Sequence, residues 1–438
     1  MLWEFLTAAA LEDNTLAGVS VKEIMDTWTL QMNYPVVRLE RDEESPCTGR
    51  LTQQRFLLTP ESEESEEPEY TWWVPLSFTT PSQGFDQTSP SAWLSPATAN
   101  GSTVVDLCSS ANLTREEPVI LNVQQTGFYR VNYDQPGWEL LQQTLLSHHS
   151  SLHKVTRAQL LDDALSLARA SLLPYPTALQ LTDYLAAELD YVPWAAAISS
   201  LRYLENMFSS QPGFGQLRAF LLRTLQPVVQ RLGLEERPGL DTALEQKLRV
   251  LVVEMVCRLD LPECRQYSQA LMEQWMAQTE PDSQSPFPSS TRDSVLCAAV
   301  AQGEEATWEF VLARYLASSN ANEKLSLLTA LACSRQVWIL QRYLEMSLTE
   351  HSGVKKQDGY KIVVAVSNNQ IGRLLAWDWL RSHWADLTTY YDPAVSVYVG
   401  RIISAVARDF NTRSDRSESV CKYQYFAPGS SSPSLRCS

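Results

Sequence analysis

The pattern of apolar and polar positions changes once along the chain, near residue 134. Before that point apolar and polar residues alternate in short runs, such as RLTQQRFLL from Arg50 and FYRVNYD from Phe128. Alternation with a period of two is typical of strands that bury one face. After that point apolar residues recur three and four positions apart, as in LLDDALSLA from Leu160, which is typical of amphipathic helices. The pattern therefore predicts an α+β chain with a strand-rich part followed by a helical part.

The segment from Pro118 to Trp138 joins these two parts. Its alternating residues predict two short strands that separate at Gly127. Asp134 and Pro136 then predict a helix start, because an aspartate side chain accepts from free N–H groups there and proline fits the first turn.

The pattern predicts four successive regions. Residues 1–28 contain two short amphipathic stretches, which predict a helical remnant of a larger protein. Short runs punctuated by Pro and Gly predict a small antiparallel β-sandwich over residues 29–133. Residues 134–410 predict a large irregular α-solenoid of HEAT- or armadillo-like helical pairs, because short links make successive helices antiparallel neighbours. Residues 411–438 are Ser-rich and lose the period, which predicts a disordered, aberrant tail.

Charge and hydropathy exclude several classes of partner. The chain of 438 residues has a formal net charge of -16 and no basic stripe, which argues against nucleic acid. No apolar run approaches the roughly 20 residues that a membrane-spanning helix needs. The N-terminus carries Glu4 and Glu12 and lacks a basic region, so the sequence shows no targeting signal.

The spacing of the histidines does not predict a metal site. Of the five, His149 and His153 have the i, i+4 spacing of a ligand pair, but only Ser-Ser-Leu lies between them, in a polar link. We therefore interpret the pair as part of an exposed link. The sequence contains no H-E-x-x-H, no G-x-S-x-G and no phosphate-binding loop. The acidic stretch from Glu61 to Glu69 lacks the glycine and the spaced glutamate of a calcium loop, which favours a solvated loop.

Cysteines and sequons point to secretion. Cys257 and Cys264 bracket a predicted helix end and a new helix start, so that a disulfide there would connect neighbouring helices. Free buried thiols are the alternative, and a zinc site is disfavoured because no C-x-x-C or nearby histidine accompanies them. Asn100-Gly-Ser and Asn112-Leu-Thr match the N-glycosylation acceptor pattern. Two further cysteines, Cys421 and Cys437, lie in the tail.

Six stretches resemble segments of the aminopeptidase N family of zinc metallopeptidases (gluzincins), in matching order and spacing. They are IMDTWTLQMNYPVV at Ile24, YTWWVPL at Tyr70, TGFYRVNYD at Thr126, TRAQLLDDALSLA at Thr156, YVPWAAAISSLRYLENMF at Tyr191 and ALACSRQVWILQRYL at Ala330. The chain resembles the C-terminal portion of a vertebrate member, without the catalytic domain. The resemblance implies that residues 1–28 are a helical remnant of that preceding catalytic domain.

The resemblance implies a function for the whole enzyme and a smaller role for this chain. Complete members are membrane-type enzymes that bind zinc through H-E-x-x-H and remove N-terminal amino acids from peptides. This chain would supply the helical bowl that confines the peptide, would hold no cofactor and would be inactive alone. The family also implies the extracellular face of the plasma membrane or the secretory pathway, and a possible homodimer. A stand-alone solenoid scaffold that binds a peptide or protein is the alternative function.

The resemblance also implies roles for particular residues. The disulfides of the family's helical domain fall on Cys257 with Cys264 and on Cys297 with Cys333. The segment VSVYVGRIISAVAR matches a family segment near the substrate channel. Its polar residues Ser396, Tyr398 and Arg401 are therefore the candidates for contact with a peptide.

Overall fold

The computed structural model describes most of the chain. The described residues are 2–12, 18–42, 44–58, 70–96, 102–108, 114–391 and 397–412. Six of the features predicted above lie outside them, namely Asn100, Asn112, Ser396, the acidic stretch, the two tail cysteines and the tail from residue 413. The chain divides into two compact units, residues 1–200 and 201–438, each of which is described by itself.

The strands all belong to the first unit. Within the described residues they are β1 (Pro35–Arg41), β2 (Thr48–Arg55), β3 (Val74–Leu76), β4 (Phe78–Thr79), β5 (Ala92–Leu94), β6 (Ser102–Asp106), β7 (Ile120–Leu121) and β8 (Arg130–Tyr133). One sheet has the order β6-β2-β1-β8, and β3–β5 and β4–β7 form two further pairs. β8 runs parallel to β1, whereas the other pairs are antiparallel. The parallel pair departs from the predicted antiparallel arrangement. No hairpin joins β1 and β8, so the connection between them leaves a parallel pairing open.

Helices make up most of the remaining structure. Within the described residues they are α1 (Leu2–Glu12), α2 (Val21–Thr29), α3 (Gln135–His148), α4 (Lys154–Arg169), α5 (Tyr175–Gln180), α6 (Tyr191–Phe208), α7 (Phe214–Leu232), α8 (Ala243–Arg258), α9 (Pro262–Met276), α10 (Arg292–Gln302), α11 (Glu305–Ala317), α12 (Ala321–Leu331), α13 (Val337–Met346), α14 (Lys356–Ser367), α15 (Gly372–Ser382), α16 (Trp384–Tyr391) and α17 (Val397–Ala407). The predicted α+β class, with small sheets followed by a large helical part, is confirmed. The apolar residues of α10 and α14 form nearly continuous runs, so that the helical period alone does not delimit these two helices.

In the second unit the helices stack in pairs. Successive contacts connect α8, α10, α12, α14 and α17 in one row, and most of these helices also pack against a sequence neighbour. Each pair therefore covers the apolar face of the pair before it, which is how an α-solenoid builds its core. The row ends with α14 against α17, and this contact forms the candidate site described below.

The strand predicted ahead of Gly127 is only two residues long, because the backbone turns sharply after it. Asn122, Gln124 and Gln125 all adopt left-handed conformations, with φ of 58°, 53° and 55°. The Asn122 amide closes the turn by donating to the carbonyls of Gly127 and Tyr129 and by accepting from the Gly127 N–H at 2.7 Å. Asparagine adopts the left-handed conformation more readily than most residues. Its side-chain hydrogen bonds therefore hold the turn that ends β7 and leads into β8.

The predicted helix start at Asp134 is confirmed. One oxygen of its carboxylate accepts from the N–H of Gly137 at 2.8 Å, inside the first turn of α3. The other oxygen accepts from the N–H of Arg41 at 3.0 Å, at the end of β1. The same carboxylate therefore ends a strand and begins a helix.

A buried ion pair ties β8 to α4 within the first unit. The Arg130 guanidinium contacts Asp162 at 2.7 Å and Asp163 at 2.9 Å. Asp163 also accepts from the N–H of Val131 at 3.1 Å, so that both of its oxygens are used. Burial raises the pKa of Asp163 to about 7, against the opposing effect of Arg130. The guanidinium therefore compensates a carboxyl group that is otherwise costly to bury.

The structure contains a disulfide that the sequence reasoning missed. Cys47 and Cys108 are bonded, with their Cα atoms 5.0 Å apart. Cys47 precedes β2 and Cys108 follows β6, and these strands pair so that Thr48 lies opposite Asp106. The pairing depends on which strands are neighbours in the sheet, and the sequence pattern carries no signal for that order.

The helical unit contains two further disulfides, the pairs that the resemblance implies. Cys257, in the last turn of α8, is bonded to Cys264 in α9. Cys297 in α10 is bonded to Cys333, just after α12. None of the cysteines in the described part of the chain is a free thiol.

Replacing Arg130 by Ala should destabilise the first unit by about 3 kcal/mol, because Asp163 would stay buried without its ion partner. Urea unfolding measures the loss, and faster hydrogen exchange at the Val131 amide would localise it. Arg38→Ala is the matched control, since Arg38 pairs with Glu40 at 3.0 Å while both side chains are about half exposed. That variant should lose less than about 1 kcal/mol. Equal losses in the two variants would contradict a structural role for the buried pair.

Removing the two helical-unit disulfides should have unequal effects. Their cysteines are separated by 36 positions in one case and 7 in the other. In the chain-entropy model the Cys297→Ala/Cys333→Ala variant loses about 4 kcal/mol and Cys257→Ala/Cys264→Ala about 2.5 kcal/mol. Urea unfolding compares the variants, after peptide mapping without reduction has verified the remaining bonds. A larger loss for the short loop would show that local native contacts outweigh loop entropy.

Candidate functional site

A groove with a volume of about 530 Å³ lies between α14 and α17 in the second unit. Its position follows from the packing of α17, whose Ile402 and Val406 are fully buried. The opposite face of the helix is therefore left to form a wall of the groove. The groove is lined by Tyr360, Val364, Val397, Gly400, Arg401, Ser404, Ala405 and Arg408.

The structure brings two of the three candidate residues together through a tyrosine that the sequence reasoning missed. The Arg401 guanidinium donates to the hydroxyl of Tyr360 at 2.8 Å and lies 5.5 Å from the centre of its ring. The ring of Tyr398 lies 4.9 Å from the ring of Tyr360 and 5.4 Å from that of Tyr391. The sequence pattern does not indicate Tyr360, because it lies on α14, where the apolar residues show no clear helical period.

The two arginines of the groove differ in their partners. Arg408 makes two hydrogen bonds to the carboxylate of Asp409, at 3.2 and 3.0 Å, and one to Asn368. Its charge is therefore compensated within the protein. Arg401 contacts the hydroxyl and the ring of Tyr360 and is paired with no carboxylate in the described ranges of the chain. The described residues that line the groove include these two arginines and no acidic side chain.

The close approach of α14 to Tyr391 depends on a glycine. A Cβ atom on Gly359 would lie 2.7 Å from the hydroxyl of Tyr391 and 2.4 Å from the carbonyl oxygen of Ser347. Burial raises the pKa of Tyr391, so its phenol stays neutral at physiological pH. Gly359 thus allows the rings of Tyr360, Tyr391 and Tyr398 to lie close together. Arg401 lies against the ring of Tyr360.

The two histidines with ligand-like spacing have other roles in the first unit. A ring nitrogen of His153 accepts from the N–H of Val155 at 3.3 Å and caps α4. The ring of His149 lies 5.8 Å from the ring of Tyr184. Among the described residues, no group of three or more His, Cys, Asp or Glu side chains is arranged to hold a metal ion. No helix in the described part of the chain is long and apolar enough to span a membrane.

Comparison with known proteins places the whole helical part in one family. The model of the ERAP1-like C-terminal domain matches residues 118–419, more than half of the chain. The chain belongs to the ERAP1-like C-terminal domain family. The groove between α14 and α17 lies entirely inside the matched range, and so does the ion pair of Arg130.

Individual relatives agree with this assignment. The chain is 34% identical to Aminopeptidase Ey of Gallus gallus over 416 residues and 34% identical to Aminopeptidase N of Homo sapiens over 418 residues. It is 33% identical to Glutamyl aminopeptidase of Rattus norvegicus over 397 residues. The first two matches cover 94% of this chain and 41% of the relative, so that the chain spans about two fifths of their length. The resemblance to the aminopeptidase N family is confirmed.

Replacing Gly359 by Ala should destabilise the second unit by about 1 to 3 kcal/mol, because the new methyl group meets a backbone carbonyl that cannot move freely. Gly215→Ala is the matched control, since Gly215 also lies in a helix but a Cβ atom there meets nothing within 4 Å. That variant should gain about 0.5 to 1 kcal/mol from the higher helix propensity of alanine. Urea unfolding distinguishes the two, and a gain in both would contradict the close approach at Gly359.

Proposed function

We propose that this chain is the C-terminal part of a membrane-type zinc aminopeptidase that removes N-terminal amino acids from peptides. Its helical unit confines the peptide near an active site that another domain supplies. The observation that carries the proposal is the match of the ERAP1-like C-terminal domain to residues 118–419. Relatives aligned over 94% of the chain are themselves named aminopeptidases, which supports the same reaction class.

The catalytic chemistry is assigned to a different domain. A zinc aminopeptidase of this type needs two histidines one helical turn apart, with a glutamate between them as general base. The H-E-x-x-H sequence does not occur in these 438 residues. In this proposal zinc is held outside the chain, and the contribution of the chain is to bind and orient the peptide.

The groove between α14 and α17 supports a role in peptide contact. Tyr360 and Arg401 present a ring face and N–H donors beside apolar side chains of the groove. Such a surface suits a peptide, which offers both apolar side chains and hydrogen-bonding groups. Arg401 would therefore contact the peptide, whereas Tyr398 does not line the groove and would support it through the ring of Tyr360.

An extracellular or secretory location fits the covalent features of the chain. Three disulfides among the described residues are typical of proteins that fold in an oxidising compartment. The acceptor sequences at Asn100 and Asn112 would then carry glycans.

The purified chain should bind no stoichiometric zinc and should not hydrolyse an N-terminal amino-acid amide, because it lacks the ligands and the base. Elemental analysis and an assay with and without a chelator measure both properties, with human aminopeptidase N as the positive control. Zinc at one equivalent together with chelator-sensitive turnover would contradict the proposal.

A chimera tests whether this chain can serve as the C-terminal part of an active aminopeptidase. In human aminopeptidase N the aligned 418 residues would be replaced by this chain, in frame after the catalytic domain. The chimera should be folded and should show chelator-sensitive hydrolysis of peptides. A folded chimera that binds zinc but does not cleave peptides would favour the alternative of a stand-alone binding scaffold.

A further inference from the structure

We propose that the Cys47–Cys108 disulfide is a redox-modification site, at which a dithiol reductant opens the bridge and releases the edge strand β6 from its sheet. The bridge joins cysteines that are 61 positions apart in the sequence. One of them directly precedes β2, and the other lies two positions beyond the end of β6. This inference goes beyond the proposed function, because it concerns the sheet of the first unit and not the helical unit that confines the peptide.

Thiol–disulfide exchange supplies the chemistry of this step. A thiolate of the reductant attacks one sulfur of the bridge, forms a mixed disulfide with it and displaces the other sulfur as a thiolate. The second thiolate of the reductant then attacks the reductant's own sulfur in the mixed disulfide and displaces the remaining protein sulfur. Both protein thiolates take up the protons that the reductant has lost. The bridge thus gains two electrons and two protons, and the dithiol becomes a disulfide.

The three disulfides differ in access. Cys47 and Cys108 are both partly exposed. In the Cys257–Cys264 bridge one residue is 8% exposed and the other is fully buried. Both residues of the Cys297–Cys333 bridge are partly exposed. Because exchange requires that a thiolate reach a sulfur, exposure favours the first and the third bridge over the second.

β6 is the edge strand of its sheet and is held from one side. Among the described residues it pairs with β2 and with no other strand. The side chains of Val105 and Leu107 are buried, whereas Val104 is 64% exposed. Local opening costs least where buried apolar contacts are few. The covalent bridge therefore provides much of the restraint on β6, and the two cysteines separate when it opens.

The Cys297–Cys333 bridge, by contrast, joins elements that stay together without it. α10 and α12 pack directly against each other, and they fully bury Leu296 and Leu331. Thiols that the fold keeps adjacent re-form their disulfide readily, because their effective concentration is high. Thiols that separate with β6 have a low effective concentration. Cys47–Cys108 is therefore the accessible bridge that a given reductant keeps open.

Release of β6 uncovers apolar side chains as well as the pairing edge of β2. A Cβ atom on Gly49 would lie 2.8 Å from a methyl carbon of Leu39 and 3.0 Å from one of Leu107. The two leucines therefore meet over this glycine, where they are 1% and 2% exposed. Leu39 loses this cover when β6 leaves, so that a dye that binds apolar surface reports the reduced form.

The experiment titrates the full 438-residue chain with mixtures of reduced and oxidised dithiothreitol. Free thiols are trapped by alkylation, and peptide mapping gives the reduced fraction of each bridge separately. We expect Cys47–Cys108 to be half reduced at a ratio of reduced to oxidised dithiothreitol at least about tenfold lower than Cys297–Cys333 requires. Over the same range, dye fluorescence should rise and hydrogen exchange should accelerate in the peptide that contains Leu107, whose N–H donates to the Cys47 carbonyl at 2.7 Å. Exchange in the β1–β8 pair should stay slow.

Two variants test whether reduction is coupled to the release of β6. Leu107→Ala removes a buried side chain beside the strand, so that half reduction should need a still lower ratio. Val104→Ala is the matched control and should leave the ratio unchanged, because Val104 lies in the same strand but is exposed. Circular dichroism under oxidising conditions verifies that both variants are folded.

Three results would overturn the inference. The first is opening of Cys297–Cys333 at the same ratio as Cys47–Cys108 or at a lower one. The second is a reduced Cys47–Cys108 pair with unchanged hydrogen exchange in β6, and the third is an equal ratio for the Leu107 and Val104 variants. Each of them leaves the proposed function standing, because peptide confinement is assigned to the helical unit.

Discussion

The first unit depends on one electrostatic constraint, the burial of the Asp163 carboxyl group. A carboxyl group in an apolar interior is costly unless every oxygen has a partner and the charge has a counterion. Arg130 supplies the counterion, and the N–H of Val131 supplies the second partner. Because both partners belong to β8, the strand can dock on α4 in only one register.

That constraint organises the chain on either side of β8. Before the strand, Asn122 holds a left-handed turn that directs the backbone into β8. After it, Asp134 connects the end of β1 to the start of α3. Asn122, Asp134 and the ion pair of Arg130 with Asp163 thus fix the path from the sheet into the helices. Periodic apolar patterns give no directional information at these places.

In the second unit, the packing of α17 determines where the groove lies. The buried residues Ile402 and Val406 turn one face of α17 inward, which leaves Arg401 facing outward. Gly359 allows α14 to approach Tyr391 closely, so that aromatic rings accumulate beside the arginine. The stacking of helices thus places a positive group beside aromatic rings, and no single sequence motif encodes this arrangement.

The sequence by itself determined the fold class, the change from strands to helices near residue 134, the helix start at Asp134 and the family. These features depend on local spacing and on residues that lie close together in the chain. Tertiary structure alone decided the parallel pairing of β8 with β1, the Cys47–Cys108 disulfide and the meeting of Tyr360 with Arg401. Each of these joins residues that are tens of positions apart, and their proximity follows from which elements become neighbours in the folded chain. Local periodicity specifies the element and its buried face, whereas the neighbour that covers this face is chosen only when the whole core is packed.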